Sequence, residues 1–139
     1  MSYDAIIIGA GPAGMAAATT ITEAGGRALV LDDQRAPGGQ IYRAIENADK
    51  KTADVLGAEY MAGQSLAQTF RKQNIDYVPD ANVWQVTDER EVGYSAAGKA
   101  KLLHAPWIIL ATGATERPFP IPGWTLPGVM MAGAAQTLL

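Results

Sequence analysis

Three glycines form the pattern in this sequence with the clearest chemical meaning. They stand in the run Gly9-Ala10-Gly11-Pro12-Ala13-Gly14, which follows a short apolar segment. Between a strand and a helix, the first glycine permits a tight turn, the second lets a pyrophosphate approach the backbone, and the third lets the helix pack on the sheet. Free N–H groups at the helix start favour the negative phosphates. The run predicts an adenine-dinucleotide site, and a turn that merely packs tightly is the alternative.

An acidic pair lies where such a site needs a ribose acceptor. In dinucleotide-binding folds, a carboxylate about 20 residues after the glycines ends the second strand and accepts hydrogen bonds from ribose hydroxyls. Asp32 fits this offset best, with Asp33 as its competitor. Asp32 also argues against a 2′-phosphorylated nucleotide, because the phosphate would meet a like charge.

The elements that must position these residues follow from hydrophobic patterning. Short apolar runs predict buried parallel strands at Tyr3–Ile8, Arg27–Leu31, Ile75–Val78 and Trp107–Ala111. Helical spacing predicts helices over Ala13–Glu23, over Glu59–Gln73 and from Ala132 onward. The irregular stretch Gln34–Leu56 predicts a loop with at most short helical turns. Strand, helix and strand in this order predict a right-handed crossover.

The segment Val83–Leu103 distinguishes between two kinds of dinucleotide fold. Its short runs are separated by turn residues and predict a three-stranded meander. An NAD dehydrogenase fold would usually have a helical crossover here. We therefore expect an α/β, Rossmann-like FAD-binding fold with a central parallel sheet plus a three-stranded β-meander.

Composition narrows the possible functions. The chain has 139 residues, a net charge of −3 and no cysteine. The acidic balance argues against nucleic acid as a partner, and the absence of cysteine excludes disulfide, cysteine-zinc and iron–sulfur chemistry. We predict no metal site, so any redox chemistry must belong to a bound cofactor.

The uncharged stretch Ala5–Ile21 is too short and too interrupted by glycine and proline for a membrane span. A cytoplasmic protein with no membrane partner is expected. Residues 1–117 are predicted to form the FAD-binding domain, incomplete by itself. Residues 118–139 are predicted to form a proline-rich linker and the start of a following segment. Trp84, Trp107 and Trp124 are expected in core and linker packing.

These motifs together resemble the flavoproteins with two dinucleotide-binding domains, which include the thioredoxin and glutathione reductases. More narrowly, the run GGQIYR at 38–43 and the tail ATGATERPFPIPGWTLPGVMMAGAAQ resemble the FAD-containing subunits of heteromeric amine dehydrogenases. That group includes D-hydroxyproline dehydrogenase, opine oxidase, the alpha subunit of sarcosine oxidase and the hydrogen cyanide synthase subunit. The resemblance covers essentially the whole chain.

The resemblance implies FAD as the cofactor and assigns residues to it. The run 9–14 would hold the pyrophosphate and Asp32 the adenosine ribose. Gly39 and Gln40 would lie along the pyrophosphate or ribityl chain, with Arg43 nearby. Val83 would place its backbone against the adenine, and Ala111, Thr112 and Gly113 would close over the dinucleotide, although these three could also be an ordinary strand end.

The resemblance further implies an oxidoreductase that passes a hydride from an amino-acid or amine substrate to the flavin, with a partner subunit. No residue here is identified as the catalytic acid or base. Segments that complete such proteins are absent, so we expect a fragment that is inactive alone. Two alternatives stay open: a pyridine-nucleotide-dependent reductase of the thioredoxin-reductase type, and a non-catalytic nucleotide-binding or assembly fragment.

Overall fold

Strands and helices alternate in the first half of the chain and strands dominate the second. The computed structural model describes residues 2–138. Its strands are β1 Ala5–Ile8, β2 Ala28–Leu31, β3 Asp76–Val78, β4 Asn82–Val86, β5 Glu91–Ala96, β6 Lys99–His104 and β7 Trp107–Leu110. Its helices are α1 Pro12–Glu23, α2 Lys50–Lys72 and α3 Ala132–Leu138, with a 3₁₀ turn at Ile45–Asn47.

Four parallel strands form the central sheet in the order β3-β2-β1-β7. The apolar sequences of β1 and β2 suit strands covered on both faces, and every residue of both strands is buried. Ile8, the last residue of β1, is paired with Leu31 on one side and Leu110 on the other. The carboxyl ends of these strands therefore meet at one edge, where a doubly wound sheet binds its ligand.

Two different layers cover the sheet. One face packs against the helices in a core that includes Met15 of α1 and Phe70 of α2. The other face packs against the antiparallel sheet β4-β5-β6, which contributes Val92 and Tyr94. The predicted fold class, a Rossmann-like α/β fold with a parallel sheet and a three-stranded meander, is confirmed.

The prediction of a loop up to Leu56 is wrong in its last part, because α2 already begins at Lys50. The Asp49 side chain caps this helix by accepting a hydrogen bond from the Thr52 N–H at 2.8 Å. The helix is bent at Gly57, where φ is 80°. The bend separates the polar first turns from the part that packs on the sheet, which is why the apolar spacing starts only after it.

The three tryptophans do not pack as expected. Trp84, Trp107 and Trp124 are 51%, 72% and 45% exposed. Trp84 lies across Gly93 on the outer side of the meander, where a Cβ on the glycine would come within 2.5 Å of the indole. The predicted helix from Ala132 is present as α3, and Leu139 lies outside the described residues. Across residues 2–138, no helix has the length and apolar character that crossing a bilayer requires.

Candidate dinucleotide-binding site

The glycine run forms the turn between β1 and α1 at the carboxyl edge of the sheet. The Gly9 N–H donates to the Leu31 carbonyl at 2.8 Å, which extends the pairing of β1 with β2 by one residue. Gly9 has φ +105°, and a Cβ there would stand 2.3 Å from the Ala111 oxygen. A Cβ on Gly14 would stand 1.9 Å from the Gly9 oxygen. These two glycines are therefore required by the protein's own packing.

Gly11 differs from its two neighbours in the run. Its φ of −70° is accessible to any residue. The nearest protein atom to a Cβ at this position is the Gly39 Cα, 3.9 Å away. Within residues 2–138, no atom comes close enough to a Cβ at this position to require a glycine. This open cradle fits a pyrophosphate that must approach the backbone closely.

Pro12 and Ala13 complete the turn as the first residues of α1. Proline suits the first helical position because its ring presets φ and its missing N–H would have no partner there. The N–H groups of Ala13 and Gly14 precede the first intrahelical hydrogen bond, in which the Met15 N–H donates to the Gly11 carbonyl. They are the donors that the turn offers to a phosphate.

Asp32 is 6% exposed and lies directly beside the glycine turn. Its carboxylate accepts hydrogen bonds from the Ala10 N–H at 2.6 Å and from the Gln34 N–H at 2.9 Å. Burial raises the pKa of this carboxyl, against the lowering effect of the two N–H donors. Each carboxylate oxygen has more than one lone-pair site, so both bonds leave capacity for a ribose hydroxyl.

Asp33 is exposed and faces a different environment. It borders an open hollow of about 300 Å³ that Asp80, Ala81 and Asn82 also line. The side-chain amide of Gln34 donates a hydrogen bond to the Asp33 carboxylate at 3.0 Å. The hollow adjoins Asp32 through the Ala81 N–H, which donates to the Asp32 carbonyl at 2.8 Å. Both acidic residues therefore lie at the carboxyl end of β2, with Asp32 against the glycine turn and Asp33 at the hollow.

Gly39 brings the second glycine motif against the first. A Cβ at this position would lie 2.9 Å from the Gly11 Cα, so the two backbones touch. Gln40 and Arg43 follow on the exposed side of the same turn, where the Arg43 guanidinium donates to the Gln40 side-chain oxygen at 2.8 Å. The structure therefore brings Gly39 against the run 9–14, with Gln40 and Arg43 further along the same turn.

The remaining predicted residues frame the site less closely. Ala111 adjoins the turn, since its N–H donates to the Ile8 carbonyl at 2.8 Å and its oxygen lies against Gly9. Thr112 follows it, and Gly113 has φ +70°; apart from its two chain neighbours, no atom of residues 2–138 lies within 4 Å of where a Cβ would stand. Val83 lies on β4 opposite Tyr94, two residues beyond the Ala81 contact to Asp32.

Two supporting contacts were not singled out from the sequence. The Gly38 N–H donates to the Ala10 carbonyl at 2.8 Å. Tyr42 packs on α2 at Gly63, where a Cβ would approach the ring to 2.4 Å. The first belongs to the run GGQIYR at 38–43, whereas nothing in the local sequence pairs Tyr42 with a glycine in a helix. Together they hold the second glycine motif between the glycine turn and α2.

A tightly packed turn that leaves one position open to a ligand, on a parallel sheet with an antiparallel meander, defines a Rossmann-type dinucleotide-binding domain. The chain belongs to the pyridine nucleotide-disulphide oxidoreductase family, whose model matches residues 3–136. The matches identify FAD as the cofactor of this domain.

Relatives of known function agree with this assignment. An opine oxidase subunit from Agrobacterium tumefaciens (strain Ach5) is 48% identical over 99% of this chain and 29% of its own length. The HcnB subunit of hydrogen cyanide synthase from Pseudomonas aeruginosa is 34% identical over 98% of this chain and 30% of its own length. The alpha subunit of sarcosine oxidase from Corynebacterium sp. (strain P-1) is 35% identical over 98% of this chain and 15% of its own length. The resemblance to these subunits is confirmed, and the chain spans less than a third of their lengths.

Solved structures show the same fold. L-proline dehydrogenase from P. horikoshii aligns with a TM-score of 0.64 at 18% identity, over 86% of this chain and 24% of that chain. Thioredoxin reductase from Lactococcus lactis aligns with a TM-score of 0.62 at 25% identity, over 88% of this chain and 39% of that chain. The fold is thus shared by an L-proline dehydrogenase and a thioredoxin reductase, so the fold alone does not indicate the substrate.

Proposed function

We propose that this chain holds the adenosine diphosphate part of FAD within an oxidoreductase that acts on an amino acid or amine. The observation that carries the proposal is the open position above Gly11, 3.9 Å from the nearest protein atom, beside two glycines that packing does require. A glycine that the fold does not need is accounted for by a ligand that needs it.

Each predicted residue has a role in this proposal. Gly9 and Gly14 shape the turn, and the N–H groups at the start of α1 receive the pyrophosphate through the space above Gly11. Asp32 accepts from the ribose, with Asp33 as the competing acceptor. Val83 contacts the adenine through its backbone. Ala10, Pro12, Ala13, Gly39, Gln40, Arg43, Ala111, Thr112 and Gly113 line the path of the dinucleotide.

The substrate class rests on the relatives. Opine oxidase and sarcosine oxidase are named for secondary amines, and both matching chains are subunits. When bound, FAD supplies the two-electron acceptor. FAD held along the glycine turn and Asp32 would supply the acceptor for a hydride from the carbon beside the substrate nitrogen. With loss of the nitrogen proton to solvent, the amine would become an imine. A cytoplasmic location and a partner subunit complete the proposal.

The division of the chain is also a proposal. Residues 1–117 would form the incomplete FAD-binding domain, and residues 118–139 a linker and the start of the next segment. Supporting it, residues 112–121 contain no helix or strand, and Phe119 and Ile121 are exposed.

The test compares two valine substitutions in the purified chain. Gly11→Val should abolish binding of ADP and FAD in a titration, because the side chain would occupy the pyrophosphate position. Ala58→Val, at an exposed position on α2, is the control and should leave binding unchanged. Circular dichroism should show the same fold in both. Unchanged affinity in a folded Gly11→Val variant would rule out the site, and a wild-type chain that takes up neither ligand would reject the proposal for this chain.

A further inference from the structure

The backbone of Ala10 is held from two sides within the glycine turn. On one side, its N–H donates to the Asp32 carboxylate at 2.6 Å. On the other, its carbonyl accepts from the Gly38 N–H at 2.8 Å. The Ala10 side chain is fully buried, so the whole residue is fixed. Asp32 and the second glycine motif therefore both bind the backbone of this one residue.

Asp32 connects this turn to the adenosine end of the site. Its second carboxylate oxygen accepts from the Gln34 N–H at 2.9 Å. The Asp32 carbonyl accepts a hydrogen bond from the Ala81 N–H at 2.8 Å, and the Asp32 N–H donates to the Val78 carbonyl at 3.1 Å. A single residue therefore ties the β1–α1 turn to the segments after β2 and β3, which border the hollow beside Asp33.

We propose that Asp32 is a positioning residue for the glycine turn. By fixing the Ala10 peptide, its carboxylate sets the direction in which the N–H groups at the start of α1 face a pyrophosphate. This role is additional to any contact with the ribose, and it operates before a ligand binds. A charged acceptor suits it, because a hydrogen bond to an ionised group is stronger than one between neutral groups.

The first test needs no ligand. Asp32→Asn keeps the shape of the side chain but can offer an oxygen to only one of the two N–H donors. Hydrogen exchange of the Ala10 N–H should become faster by about ten-fold or more, the equivalent of losing one charge-assisted hydrogen bond. Asp33→Asn, the same chemical change at the exposed neighbour, should leave this exchange rate unchanged.

The exchange of the Phe70 N–H in the buried part of α2 reports global unfolding and serves as the internal reference. Acceleration at Ala10 beyond that at Phe70 supports the positioning role. Equal acceleration at both sites, or none at Ala10, overturns it. Asp32→Ser, a smaller side chain that retains an oxygen acceptor, is the second variant if Asp32→Asn does not fold.

The second test rests on the proposed function and measures affinity. ADP and 2′,3′-dideoxy-ADP carry the same pyrophosphate, but the second compound lacks the ribose hydroxyls that a carboxylate could bind. If Asp32 positions the turn, Asp32→Asn should weaken binding of the dideoxy compound by about ten-fold as well. Weaker binding of ADP with unchanged binding of the dideoxy compound would show a ribose contact only. If the wild-type chain binds neither compound, the proposed function fails while the exchange test still decides the positioning role.

Discussion

Strands β2 and β7 flank β1 in the same register, have similar apolar sequences and differ sharply in burial. Leu31 of β2 and Leu110 of β7 both pair with Ile8, yet Leu31 is fully buried and Leu110 is 67% exposed. β2 has strands on both sides and a core layer on each face. Within residues 2–138, β7 pairs only with β1.

The difference shows that burial in this sheet depends on the neighbours and only weakly on residue type. On the β2 side, the helices, the meander and β3 enclose the strand and hold Asp32 beside the glycine turn. On the β7 side, Trp107 is 72% exposed, although the apolar sequence of this strand predicts a buried strand. An exposed apolar edge of this kind normally requires cover. The two halves of the sheet should therefore respond differently to matched substitutions.

The largest expected effect separates the two leucines. Leu31→Ala removes a buried side chain and should lower the free energy of unfolding by about 2 to 5 kcal/mol. Leu110→Ala, in the same row of the sheet, should change it by less than about 0.5 kcal/mol, because the side chain is mostly in water already. Urea denaturation of the 139-residue chain measures both. Equal losses would contradict the comparison.

The same two substitutions also test whether another segment covers β7 in a longer version of the protein. If another segment packs on β7 there, Leu110→Ala should become as costly as Leu31→Ala. A cost that stays small in a longer version of the protein would show that the β7 edge faces solvent in it as well.

A smaller effect is expected where the glycine turn meets β7. Gly14→Ala would place a Cβ 1.9 Å from the Gly9 oxygen and should cost about 1 to 3 kcal/mol of stability as the turn shifts away from Ala111. Gly11→Ala adds the same methyl group where the nearest atom is 3.9 Å away, and should leave thermal stability nearly unchanged. A destabilised Gly11→Ala variant would show that the fold, and not a ligand, requires that glycine.

The smallest effect is a pH dependence at the end of β2. Burial raises the pKa of Asp32 above its ordinary value of 3.8, so the folded chain holds that proton more tightly than the unfolded chain. The stabilising contribution of the protonated form is complete below pH 3.8 and is lost as the pH rises through the raised pKa. The stability of the wild type relative to Asp32→Asn should therefore fall as the pH increases through this window. A relative stability that rises instead would reverse the assigned direction.

Several features were predictable because they depend on neighbouring residues. The strand at 5–8, the glycine turn and α1 follow from an apolar run, closely spaced glycines and a proline. The meander follows from short runs divided by turn residues. The start of α2 was missed because its first turns are polar, and the cap at Asp49 was the available local signal.

By itself, the sequence determined the fold class, the dinucleotide motif and the family resemblance, since each depends on residue types at fixed spacings along the chain. The tertiary structure decided which glycines the fold requires, because the Ala111 oxygen crowds Gly9 and the Gly9 oxygen crowds Gly14, whereas Gly11 has only an ordinary contact with Gly39. It also decided that Asp32 is buried against Ala10 while Asp33 is exposed. Adjacent residues of the same type, such as Asp32 and Asp33, differ in burial because different segments pack against them. Those segments are distant in the sequence.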